Sequence, residues 1–168
     1  MKSLLVAVLA LFATAQDVEN PQFKYWTGCK PGSWVKMKAE MTSGGQKIES
    51  EMTHNLLELK ADVAVIEITG KTKVGDKEFP FPAQKQEIKA REPAEKIKIA
   101  GEGDEEIEVA GKKLKCHWFE YSAKQGEKES KGKAWLAKEI PGGTARIEMG
   151  GPDGGKAIVM NAVEWEKK

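Results

Sequence analysis

Apolar and charged residues alternate along most of the chain between Ser33 and Trp165. Val35, Met37, Ala39 and Met41 share one side of an extended segment, with Lys36, Lys38, Glu40 and Thr42 on the other, because successive side chains of a strand leave opposite faces. This period of two predicts a sheet with one apolar and one solvated face. A second strand carries Ile48, Met52 and Leu56 opposite Glu49, Glu51 and Thr53, and Leu57 and Leu59 then break the phase, which predicts a bulge or a strand end. In a third strand, Val63 to Val74, the apolar residues Val63, Ala64, Val65, Ile66 and Ile68 fall on both sides, which predicts cover on each face.

Turn chemistry separates these segments. Val74-Gly75-Asp76-Lys77 has the form of a two-residue hairpin with glycine first. Phe79-Pro80-Phe81-Pro82 belongs at a sheet edge or in a loop, since proline gives the ladder no donor. The stretch from Ala83 to Glu95 has no clear period and is expected to form a short helix or a flap. Regularity returns at Ile97 and Ile99, then Ile107 and Val109, with Gly101 to Asp104 expected to join two short strands. After a turn at Ala110-Gly111, a long strand runs through Leu114, Cys116 and Trp118, and three more strands follow, the last from Ala157 to Trp165. Asn20-Pro21 before Phe23 and Trp26, with Gly28 beyond, predicts one short N-terminal helix. Nine or ten strands with short connections predict a mostly β chain folded as an antiparallel meander.

Residues 1–15 stand apart. Lys2, the apolar run Leu4 to Phe12 and Ala13-Thr14-Ala15 have the form of a secretion signal, and the run is too short for a membrane-spanning helix. Residues 16–168 are then a single β domain, exported to the periplasm or secreted. Lys2 is the only charge in the leader, so 27 basic residues fall to 26 against 26 acidic ones. Only Arg91 and Arg146 are arginines. A neutral, arginine-poor chain lacks the basic field and planar forks that nucleic acid binding uses.

No nucleophile elbow, phosphate loop, zinc-protease helix, paired Cys-x-x-Cys or calcium loop occurs, so the expectation is no catalysis and no cofactor. Cys116 and His117 are adjacent and face opposite ways in a strand, so the pair is not expected to hold a metal. In an oxidising compartment Cys29 and Cys116 are the candidate disulfide. The candidate ligand-facing residues are Met37, Met52, His54 and Ile66 on the apolar side, with Trp118 and Trp135 as rings lining a cavity inside a curled sheet.

The segments Lys30-Pro31-Gly32-Ser33-Trp34-Val35, Glu105 through Cys116, and Lys133-Ala134-Trp135 with Ile140-Pro141-Gly142-Gly143 resemble exported proteins of planctomycete-type bacteria. Their strand layout is similar to the LolA-like lipoprotein-carrier superfamily. That resemblance implies a single strongly curved sheet, a half-barrel, holding a lipid or lipoprotein acyl chain on its concave face. The competing expectation is a structural or protein-binding β domain with a filled core, meeting a protein partner along its sheet edge or the Phe79 to Pro82 segment.

Overall fold

A computed structural model of the chain describes residues 17–43, 46–93, 98–125, 128–150 and 156–168. The leader therefore lies outside the described residues. Eleven strands and one helix follow in the order β1 (Asp17–Glu19), α1 (Pro21–Trp26), β2 (Trp34–Ser43), β3 (Gln46–Leu59), β4 (Val63–Val74), β5 (Lys77–Lys89), β6 (Arg91–Pro93), β7 (Lys98–Val109), β8 (Lys112–Gln125), β9 (Lys128–Ala137), β10 (Thr144–Gly150) and β11 (Lys156–Glu166). β1 and β6 form a small two-stranded sheet, and the other nine form one antiparallel sheet ordered β5-β4-β3-β2-β11-β10-β9-β8-β7. The fold is thus mostly β with one short helix, as the alternation predicts.

The antiparallel meander is present, in two runs. Two runs, β2 to β5 and β7 to β11, each fold locally, and they are joined along a seam where β2 pairs with β11. The edges of the sheet are consequently β5 and β7, which lie next to each other in the chain. Laid flat, nine strands span roughly 38 Å at about 4.8 Å per step. Residues 90–97, between Lys89 and Lys98, reach about 32 Å at most when fully extended. Only a rolled sheet lets so short a link join its two edges. β7 accordingly touches β11, four places away in the sheet, and the result is an open, curved half-barrel.

The prolines do not break β5. Pro80 sits opposite Lys71 on an edge strand, and the register shifts between Ile68 and Gly70, beside Pro82. An edge leaves the missing donor facing water and a bulge absorbs the misfit, so neither helix nor flap forms over Ala83 to Lys89. Likewise Gly101 to Asp104 lies inside the single strand β7, with a register shift between Ile99 and Gly101. The expected break at Leu57 is a shift between Leu56 and Glu58. Gly75 has φ +60 and Val74 pairs with Lys77, giving the glycine-first hairpin. β4 departs from expectation: Ala64 and Ile66 are buried, whereas Val63 and Val65 on its other side are only half-buried.

Two apolar clusters close one end of the roll. Asn20 caps α1, its Oδ1 accepting from the Gln22 N–H at 2.9 Å. The helix then presses Phe23 and Trp26 onto Leu56, Ala64, Ile66 and Ile88. Beside it, Val35, Met37, Val109, Leu114, Cys116, Trp135, Ala137, Ile140, Ala145 and Ala162 form the second cluster.

Candidate functional site

Cross-strand partners share a face, so the register defines rows that cross all nine strands. One row reads Ile99, Tyr121, Gly132, Met149, Ile158, Met41, Ile48, Val74, Lys77, and a second on the same face Glu102, Phe119, Ala134, Ile147, Met160, Ala39, Ser50, Thr72, Phe79. Both are apolar through the middle of the sheet and polar only at or near an edge. The row between them, on the opposite face, is Gly101, Glu120, Lys133, Glu148, Val159, Glu40, Glu49, Lys73, Glu78.

The middle of the apolar face holds an open groove of about 300 Å³. Met41, Ile48, Met52, Phe81, Ile147, Met149, Ile158 and Met160 line it, with Ala39, Ser50 and Thr72. None of these side chains ionises. The two hydroxyls, Ser50 Oγ and Thr72 Oγ1, bond each other at 3.0 Å, so at most one hydroxyl proton of the wall is left to a ligand. Phe81 gains its place by lying on Gly70, where a Cβ would come within 2.6 Å of the ring. The chain has six methionines, and four of them line this groove. An unbranched thioether adapts its shape to irregular apolar partners.

Three of the six candidate ligand residues come together away from the groove: Met37 and Trp135 are buried in the second cluster and Trp118 packs against it. Met52 lines the groove. Met37, its direct cross-strand partner, is fully buried in the second cluster, and Ile66 is sealed beneath α1. His54 lies between Val35 and Ile68, where burial pushes its pKa below the ordinary value.

Trp118 and Trp135 face the other way, in the row Gly103, Trp118, Trp135, Arg146, Asn161, Lys38, Glu51, Lys71, Pro80. There the Lys133 ammonium stands 4.1 Å from the Trp118 ring centre and 4.8 Å from that of Trp135, and Arg146 covers Trp135 at 5.6 Å. The Trp135 indole N–H donates to Glu105, whose carboxylate also pairs with Lys133 at 3.3 Å. That indole bond and the lysine hold the Glu105 carboxyl below the usual range. Trp135 is at the same time a buried member of the second apolar cluster, and Trp118 packs against it, so the two rings join that core to the cations beside them.

The groove residues that alternation alone left unassigned come mainly from β10 and β11. Ile147 with Met149 and Ile158 with Met160 keep period two, yet only the pairing shows that they meet Met41 and Met52. The other half of the sheet's ionic face is a grid of exposed pairs, including Lys47–Glu49 at 2.7 Å, Lys71–Glu78 at 3.1 Å and Lys36–Glu164 at 3.5 Å. Each stabilises by about 0–1 kcal/mol at most.

The disulfide expectation is corrected. Cys29 and Cys116 are both free and buried, because they belong to different clusters. Each thiol points to a backbone carbonyl, Cys29 to Tyr25 and Cys116 to Leu114. Burial raises both, Cys116 to about 11. His117, on the other face from Cys116, sits between Asp104 at 2.8 Å and Glu102 at 3.7 Å. Among the described residues no group of three or more His, Cys, Asp or Glu is placed to hold a metal ion, and no helix is long and apolar enough to cross a membrane.

No protein-family profile matches the chain, and no curated protein matches its sequence. Its fold is similar to that of a solved Bacteroides fragilis protein, provisionally described as exported and as having a YmcC-like fold. The TM-score is 0.52 at 6% identity, over 83% of this chain and 97% of that one. The likeness is one of fold alone, and the class this chain's own strands define is an open, curved antiparallel sheet.

Proposed function

We propose that this chain is an exported, non-catalytic binding protein that holds a lipid or acyl chain along the methionine-lined groove. One observation carries the reading: an uncharged groove of about 300 Å³, lined almost wholly by apolar side chains, stays open on one face of the sheet. The leader-like residues 1–15 and the likeness to a protein described as exported support a periplasmic or secreted location. The resemblance of the sequence to LolA-like carriers is what suggests an acyl chain as the occupant. Apolar walls without a polar anchor suit a hydrocarbon whose head group stays in water.

Native mass spectrometry of the protein purified from its own compartment tests this. A co-purifying lipid mass, lost when Ile147 and Met160 are both replaced by glutamate, is the expected result. An empty native protein that also fails to brighten a hydrophobic dye overturns it.

A further inference from the structure

The groove methionines differ sharply from their neighbour on the same face. Met41, Met52, Met149 and Met160 are all partly open to solvent and share one cavity. Met37, directly across the strand pair from Met52, is 0% exposed. Thioether oxidation follows access, so these five side chains divide into four that an oxidant entering the groove can reach and one that it cannot. The same chain keeps both of its thiols buried and raised, which leaves the thioethers as its accessible two-electron sulfur centres among the described residues.

We propose that Met41, Met52, Met149 and Met160 form an oxidative modification site that switches the groove from apolar to polar and so discharges its ligand. This rests on the groove being the binding site for an apolar chain. The co-reactant is a peroxide. A sulfur lone pair attacks one peroxide oxygen, an S–O bond forms as the O–O bond breaks, the sulfur loses two electrons and the peroxide is reduced to water. Each sulfoxide places a strong acceptor on a wall that can offer the four of them at most the one hydroxyl proton left over from the Ser50–Thr72 pair. A hydrocarbon lying there would have to cover that acceptor without a donor to offer it. The rest of the fold has little reason to respond, because none of the four side chains belongs to the fully buried set of either core cluster.

The test uses the full mature chain, hydrogen peroxide and a long-chain fatty acid as probe. Peptide mapping is expected to find sulfoxide first at the four groove positions, with Met37 spared until the protein is unfolded. Fatty-acid affinity should fall by roughly tenfold or more on oxidation, equivalent to losing the burial of about two methylenes. It should return on treatment with methionine sulfoxide reductases. A variant with all four replaced by leucine is read against itself: its fatty-acid affinity, whatever its value, should be the same before and after peroxide, and a tenfold fall on oxidation without these methionines overturns the switch. Oxidation of Met37 at the same rate as the others, or an oxidised wild type that binds unchanged, overturns the switch and leaves the binding reading standing. Failure of both unoxidised wild type and leucine variant to bind overturns the binding reading, and the switch with it.

Discussion

The two ends of the apolar face are made from similar residues and have opposite fates. At one end α1 lays Phe23 and Trp26 over Leu56, Ile66 and Ile88, and every one of these is nearly or fully excluded from water. At the other, Met41, Ile48, Ile147 and Met149 point into an open groove with nothing of this chain's described residues filling it. The difference is a single six-residue helix. Hydrophobic side chains create a site only where the fold withholds their cover, so an exposed, continuous apolar area carries more functional information than the buried one.

The contrast breaks most directly at the closed end. Trp26→Ala is expected to cost about 3–5 kcal/mol, whereas Met149→Ala in the groove should cost about 1 kcal/mol or less. Urea unfolding of the two variants checks this, and equal losses would mean that the groove is packed shut. Thiol chemistry sharpens the same division. Cys29 and Cys116 are both buried and raised, so a disulfide-exchange reagent at pH 8 should label neither until the unfolding transition, and both across it. Fast labelling of the folded protein would show that the closed end opens locally.

A smaller effect is expected at a position in neither apolar cluster. Ala110, φ +51, and Gly111, φ +74, form the turn between β7 and β8, a mirror-image hairpin that favours Asn-Gly. Relief of a left-handed alanine by Ala110→Asn should raise stability by about 1 kcal/mol, read as a higher urea midpoint at unchanged slope. The smallest effect belongs to His54. Burial lowers its pKa from an ordinary 6.5, so as pH falls through 6.5 the unfolded chain takes up the proton before the folded one does. Stability contributed by the neutral ring is complete above that pH and declines below it. The unfolding midpoint should therefore drop between pH 7 and 5 in the wild type and drop less in His54→Gln. An identical slope in both would remove His54 from the account.

Strand positions and turns were legible in the sequence because they depend on local chemistry: period two, Gly75 at a positive φ, Asn20-Pro21 opening a helix. Facing was legible only in part. Register shifts at Thr144/Arg146, Met149/Gly150 and Ala162/Glu164 change which residues of one strand oppose which of the next, and no local pattern announces them. Hence Trp118 and Trp135, apolar by type, stand on the ionic side, where Lys133 and Arg146 offer ring-face contacts. The β2 to β11 seam was illegible for a related reason, since partners so far apart in sequence leave no mark on the residues between them. The continuity of β5 through two prolines depends on its being an edge, which is a property of the whole sheet.

That seam has a consequence for how the molecule is made. Trp34 meets Glu166 across 132 positions of chain, with the indole N–H 3.2 Å from the carboxylate. Each local run of hairpins can assemble as it emerges, but the central ladder cannot zip before the final strand exists, and such distant pairing is slow. Until the last strand exists the two runs have no ladder between them, so closing the seam is the final step of assembly.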